Sequence, residues 1–112
     1  MDYRASRGTI AMQIDKAKRL PGKKIKVTGT VIDAFIAKGD AVSVLDNRQL
    51  FFLGGAEIVS IKSVKKPKKL IDEASPGEAV TLLLRVNRGE EGEIMGSCRV
   101  KKGFFLTKVQ SR

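Results

Sequence analysis

Lysines and arginines are the residues of this sequence whose types and spacing indicate a chemical role. They gather in three clusters, at 23–26, 62–69 and 99–102, and the second cluster holds five bases and no acid. Flexible lysine ammonium groups suit phosphate oxygens as point charges, whereas arginine is better suited to bidentate recognition. The candidate phosphate-binding residues are Lys23, Lys24, Lys26, Lys62, Lys65, Lys66, Lys68, Lys69, Arg99, Lys101 and Lys102. For the cluster at 62–69, the alternative interpretation is a solvated hairpin tip.

Aromatic side chains near these bases add a second kind of contact. Phe104 and Phe105 follow the third cluster, and an exposed ring offers a stacking surface to a nucleic-acid base. The alternative is structural, with one ring packed into the core and the other covering its end. Near the N-terminus, Tyr3, Arg4 and Arg7 predict an arm that becomes ordered on RNA.

The overall charge has the same implication as the clusters. The chain has 112 residues, with 22 Lys and Arg against 12 Asp and Glu, so its formal net charge is +10. Bases are concentrated in 1–26, 62–69 and 99–112, whereas 27–61 and 70–98 are net acidic. This segregation indicates one basic face for a polyanion, with nucleic acid as the first candidate. An anionic membrane surface and a generally lysine-rich surface are the alternatives.

Residues for catalysis are scarce in this sequence. It contains no His, so the common triads lack a base and zinc lacks its usual ligand. A GxxxxGK[ST] segment, which would form a phosphate-binding P-loop, is also missing. The lone Cys98 excludes an internal disulfide and is expected to be a small buried residue. The adjacent acids at 72–73 and 90–91 are expected to be solvated, so we predict a non-enzymatic protein without cofactor or metal.

The sequence shows no signal for export or membrane insertion. Its N-terminus lacks the apolar stretch of a signal peptide, and no apolar run is longer than four residues. We therefore expect a cytoplasmic monomer with no membrane contact. The length suits a single domain, which we place at 10–112 behind a disordered basic arm at 1–9.

Short β-branched segments about ten residues apart predict a small β-barrel or sandwich. The clearest strand is 24–33, where lysines and threonines alternate with branched apolar residues. Within it, Gly29 predicts a bulge or the close approach of another backbone. Residues 10–20 fit either a strand or a helix behind a Thr9 cap. Periodicity does not say whether the lysines of 24–33 adjoin the cluster at 62–69.

Further strands follow from the same reasoning. They are predicted at 41–45, 50–53, 57–64, 79–86, 94–100 and 103–109. Pro67 keeps 65–69 out of a central strand because it has no backbone donor. Residues 70–74 fit one helical turn or a loop.

The order of several short motifs resembles a known domain. They are Gly-Thr-Val at 29–31, Lys-Gly-Asp-Ala-Val at 38–42, Ile-Val-Ser-Ile-Lys-Ser at 58–63, Lys-Lys-Pro at 65–67, Ala-Ser-Pro-Gly-Glu-Ala-Val at 74–80, Leu-Leu-Leu at 82–84 and Glu-Gly-Glu-Ile-Met at 91–95. Over residues 12–96, this succession resembles the second domain of translational GTPases of the elongation factor Tu, selenocysteine-specific elongation factor and initiation factor two type.

The resemblance implies an all-β fold, a small closed antiparallel Greek-key barrel of six to seven strands, and favours the strand interpretation of 10–20. In that family the second domain touches ribosomal RNA and, in tRNA-carrying members, the acceptor end of tRNA. It therefore implies an RNA partner, rRNA or tRNA, and association with the ribosome or a translation factor. The alternative is a protein-interaction adaptor that docks on a translation factor or a ribonucleoprotein subunit.

Two features depart from the family pattern. Glu78 follows Gly77 where the family usually has Asp, and the segment 46–55 is longer than a minimal link. Without a P-loop, we expect binding that is not switched by nucleotide hydrolysis.

Overall fold

The computed structural model describes residues 9–46, 52–66, 69–87 and 100–108, and all regular structure in these residues is β-strand. The strands are β1 (Thr9–Leu20), β2 (Lys24–Val31), β3 (Ile36–Ala37), β4 (Ala41–Leu45), β5 (Phe52–Ser63), β6 (Leu70–Ile71), β7 (Glu73–Ala74), β8 (Ala79–Val86) and β9 (Phe105–Lys108). The segment 10–20 is thus a strand, and the helix alternative is wrong. No helix among the described residues is long and apolar enough to cross a membrane.

Six of these strands close into an antiparallel barrel. The order is β4, β9, β1, β2, β8 and β5, and pairing between β5 and β4 closes the ring. β6 adds a seventh strand beyond β5, while β3 and β7 form a separate two-stranded sheet. The prediction of a closed all-β barrel of six to seven strands is confirmed.

Strict alternation along β2 and β8 builds the core of the barrel. In β2, Ile25, Val27 and Val31 are buried, while the lysines and threonines between them point outward. β8 shows the same pattern, with Leu82 and Leu84 inside. Burying such a side chain stabilises the fold by about 1.5–3 kcal/mol, so a strand with one apolar side is held in a single register.

Gly29 lies against the backbone of β1. A Cβ built on Gly29 would overlap the carbonyl oxygen of Gln13 and would lie 2.9 Å from the terminal methyl of Met12. The predicted close approach of another backbone at Gly29 is confirmed, and the neighbouring backbone is that of β1.

Two turns between strands are closed in the same way. In the turn before β4, Asp40 Oδ2 accepts the Ala37 N–H at 2.9 Å. In the turn before β8, Glu78 Oε1 accepts the Ser75 N–H at 2.7 Å. Glu78 therefore makes the same contact as an Asp in its turn, despite one more methylene.

Three predicted elements differ from the structure. The strands predicted at 50–53 and 57–64 belong to one continuous β5, so the two glycines at 54–55 do not end a strand. The helical turn or loop at 70–74 is wrong, because Leu70 and Ile71 pair with β5 while Ala74 is buried opposite Ile36. The last strand begins at Phe105 rather than at 103, since 102–103 form a turn.

Other predictions fall on residues outside the described ranges. These are the basic arm at 1–8, most of the strand predicted at 94–100, and Cys98. Thr9, the last residue assigned to the arm, is the first residue of β1.

Candidate nucleic-acid interface

The register of four neighbouring strands places lysines from distant parts of the chain on one outer surface. Lys16 of β1 lies opposite Thr28 of β2, Thr28 opposite Thr81 of β8, and Thr81 opposite Lys62 of β5. Residues directly opposite each other in an antiparallel pair point to the same side. With strands about 4.8 Å apart, this row spans about 14 Å.

The next two rows continue the same surface. One row contains Lys18, Lys26, Leu83 and Ser60. The other contains Leu20, Lys24, Arg85 and Glu57. We call the outward side chains of these three rows the basic face. It carries six bases and one acid, and that acid, Glu57, lies 3.4 Å from Arg85.

Two β-bulges determine which side chains reach the basic face. The β1–β2 register shifts between Ile14 and Lys16, so Ile14 points inward while Lys16 points outward. The β5–β8 register shifts between Ile58 and Ser60, which turns Ser60 outward and keeps Ile61 buried. A bulge adds one residue to a strand and reverses the alternation after it. The lysines that follow each bulge are therefore outside the barrel.

Like charges lie directly opposite each other on this face. Lys18 is opposite Lys26, and both side chains are exposed. Lys24 is opposite Arg85, whose guanidinium also contacts Glu57. Directly opposed like charges destabilise a sheet. A bound polyanion would remove this repulsion, so the arrangement favours an anionic ligand.

A groove of about 410 Å³ lies on the part of the basic face that β2, β8 and β5 form. Its lining residues are Lys26, Thr28, Ser60, Lys62, Ser63, Val64, Thr81, Leu82 and Leu83. The hydroxyls of Thr28 and Thr81 lie 3.1 Å apart across its floor. Ammonium groups with hydroxyls can hold a phosphate, and aliphatic side chains can contact a sugar or base. The described residues contain no group of three acidic or Cys side chains that could hold a metal ion.

Loops carry most of the remaining predicted bases. Exposed Lys65, Lys66 and Lys69 follow Lys62 between β5 and β6, and Lys23 lies in the turn between β1 and β2. The structure thus places Lys26 of β2 and Lys62 of the cluster at 62–69 around the same groove, a relation that periodicity left open. Lys68 and Arg99 lie outside the described residues.

The third cluster lies beside the first bulge. Lys101 and Lys102 are exposed in a turn that is bonded to β1, since the Gly103 N–H donates to the Ile14 carbonyl oxygen at 2.8 Å. Phe104 is half-buried and packs against the core, which agrees with the structural interpretation of that ring. Phe105 of β9 is half-buried as well.

Sequence reasoning missed Lys16 and Lys18 as members of the face. Simple alternation from Ile14 places the even-numbered residues of β1 inside, and the bulge is what turns these lysines outward. A signal was nevertheless present at the turn. Counting back from the hairpin at 21–23, where Leu20 lies opposite Lys24, puts Lys18 opposite Lys26.

The fold resembles the β-barrel domain of translational GTPases. Crystal structures of translation elongation factor SelB from Methanococcus maripaludis, apo and with the GTP analogue GPPNHP, match 90% of this chain with TM-score 0.66 and 23% identity. A bacterial selenocysteine-specific elongation factor, EF-Sec, matches 96% with TM-score 0.60 and 16% identity. The matched region is 20% of the SelB chain and 16% of the EF-Sec chain.

Sequence comparisons give no match of their own. No family model and no curated protein matches this chain. The likeness to the elongation factors is therefore one of fold.

Proposed function

We propose that this chain is a non-catalytic RNA-binding module of the translation apparatus, which contacts rRNA or tRNA through the basic face in the cytoplasm. The observation that carries the proposal is the opposition of Lys18 and Lys26 across β1 and β2. Neither ammonium has an acidic partner within the described part of the chain. A pair of this kind costs stability in the free protein and gains it when phosphates neutralise both charges.

The composition of the face indicates how RNA would be held. Its bases are mostly lysines, which act on phosphates as point charges and carry little information about base sequence. The hydroxyls and Leu83 in the groove supply neutral contacts to sugar or base. We therefore expect binding that depends strongly on salt and weakly on RNA sequence.

The likeness to elongation factors supports the translational setting. One matched protein is the translation elongation factor SelB, and the other is the selenocysteine-specific elongation factor EF-Sec. This chain spans a fifth or less of their length. We therefore propose for it only the RNA contact of the barrel domain and not the activity of the whole elongation factors.

Cosedimentation with ribosomal subunits across a salt series, followed by sequencing of crosslinked RNA, tests the proposal. For about five contacted phosphates, the log–log slope of affinity against salt should be about −3.5 to −4.5. The double variant K26Q/K62Q should bind about tenfold more weakly, because two phosphate contacts are lost. K38Q is the control, since exposed Lys38 lies in the turn before β4, away from the groove.

Two results would argue against RNA binding at this face. One is an affinity that does not change with salt. The other is a loss of binding free energy in K38Q that is half or more of the loss in K26Q/K62Q, as the removal of one charge instead of two would give if net charge alone mattered and no particular surface were used.

A further inference from the structure

Phe35 is a large apolar side chain that stays 55% exposed, in the loop that leads from β2 to β3. Single exposed apolar residues are common on protein surfaces and need no special reason. Phe35 differs in two respects, namely the hydrogen bonds that hold its backbone and the charge of the described residues near it.

The backbone around Phe35 is fixed by contacts on both sides. Lys108 Nζ donates to the Phe35 carbonyl oxygen at 3.1 Å and lies 3.3 Å from Asp40 Oδ2. The same Asp40 oxygen accepts the Ala37 N–H at 2.9 Å. Ile36, the next residue, is buried in the core opposite Ala74. The ring is thus presented by an ordered segment, which lowers the entropy lost when a partner binds it.

Among the described residues that flank Phe35 along the chain and across the small sheet, acids outnumber bases. Ala37 pairs with Glu73 in the small sheet, and Asp72 and Glu73 are both exposed beside it. Asp33 is exposed two residues before Phe35. Lys38 is the nearby exposed base, while Lys108 is already paired with Asp40. The described part of this surface is therefore net acidic and favours a basic partner over a polyanion.

We infer that the small β3–β7 sheet is a second interaction surface, which docks a protein through Phe35. The partner has an apolar pocket that accepts the ring, bordered by lysine or arginine side chains that face Asp33, Asp72 and Glu73. Aromatic anchors surrounded by polar side chains are typical of the residues that dominate protein interfaces. The loop of this surface bonds to Ile10 and Ala11 of β1 and to β9, whereas the basic face uses Lys16 and Lys18, after the bulge in β1.

Site-specific photocrosslinking followed by direct binding tests this inference. p-Benzoylphenylalanine is placed at position 35 in the full chain, and at position 70 as the control, because Leu70 is 61% exposed on β6. A protein that crosslinks from position 35 and not from 70 is then produced in pure form. Its affinity is measured for the wild type and for F35A, L70A and D72N/E73Q.

The inference requires that F35A binds the purified partner about 30-fold more weakly, as expected for an interface anchor. L70A should bind like the wild type, and D72N/E73Q should associate several-fold more slowly. F35A should retain its RNA affinity and its melting temperature, which separates this result from the proposed RNA binding and from misfolding. Crosslinks to RNA alone, no protein specific to position 35, or equal binding by F35A would overturn it.

Discussion

At the scale of single residues, the contact between Gly29 and the Gln13 carbonyl oxygen decides whether β1 and β2 can pair. Replacing Gly29 with Ala puts a Cβ into the space of that oxygen, so the two backbones must separate. We expect G29A to lower the free energy of unfolding by about 3 kcal/mol, as overpacking of a core does. Urea unfolding followed by circular dichroism measures this.

G22A is the matched control for that experiment. Gly22 has a φ of 80°, but nothing lies within 4 Å of a Cβ built there. Its replacement should cost only the backbone strain of the left-handed conformation, about 1 kcal/mol. Equal losses in G22A and G29A would mean that the approach of β1 is not what limits position 29.

Glu78 allows a second test at this scale. Its carboxylate accepts the Ser75 N–H, and Asp40 makes the equivalent contact with Ala37 in the other turn. E78A should therefore lower the free energy of unfolding by about 1 kcal/mol, through loss of one charge-assisted hydrogen bond at an exposed site. E78D should lose less than E78A, because Asp40 shows that the shorter side chain can make this bond. A loss in E78D as large as in E78A would contradict the equivalence of the two turns.

At the scale of strands, the bulge at Asp15 connects the core to the basic face. Deleting Asp15 makes Ile14 and Lys16 consecutive opposite Gly29 and Thr28, so ordinary alternation keeps Ile14 inside and Lys16 outside. We therefore expect the deletion variant to unfold cooperatively, with a loss in the free energy of unfolding of about 1 kcal/mol from the changed local twist, whereas D15A keeps the bulge and should change stability by less than about 0.5 kcal/mol. An unfolded deletion variant beside a stable D15A would show that β1 pairs with β2 in another register.

The same bulges explain which part of the site could be predicted from sequence. β2 and β8 alternate without interruption, so their inward and outward residues follow directly from residue type. β1 and β5 change sides at their bulges, and Lys16 and Lys18 were missed for that reason. The continuity of β5 through Gly54 and Gly55 was missed as well, since glycines usually mark the end of a strand.

At the scale of the whole molecule, long-range pairing brings the basic segments together. Lys26 and Lys62 line one groove because β8, from late in the chain, lies between β2 and β5. Charge segregation along the sequence predicted one basic face. Which strands lie next to each other in that face depends on the strand order of the closed barrel, which the charge pattern does not contain. Ordered motifs predicted the barrel through resemblance, whereas the acidic surface around Phe35 was not predicted, since its members meet only through β3 and β7.

Positive charge is concentrated on one side of this barrel. Substitutions that remove it should therefore raise the stability of the free protein and lower its affinity for RNA. In the free protein, K18Q/K26Q removes a directly opposed pair and should raise the free energy of unfolding by about 0.5 kcal/mol. An RNA hairpin at 100 times its dissociation constant should stabilise the wild type by about 2.7 kcal/mol. If the variant binds about tenfold more weakly, the same RNA concentration should stabilise it by only about 1.4 kcal/mol.

Urea unfolding of both proteins, with and without the hairpin, measures all four values in one series. K38Q again serves as the control, because it removes a charge from the turn before β4 and should leave the RNA-dependent stabilisation unchanged. A free variant that is less stable than the wild type, with an undiminished gain from RNA, would mean that Lys18 and Lys26 support the sheet and do not meet phosphates. If Lys18 and Lys26 bind an anionic partner, K18Q/K26Q should be more stable than the wild type in the absence of RNA. The same variant should gain less stability than the wild type when RNA is added.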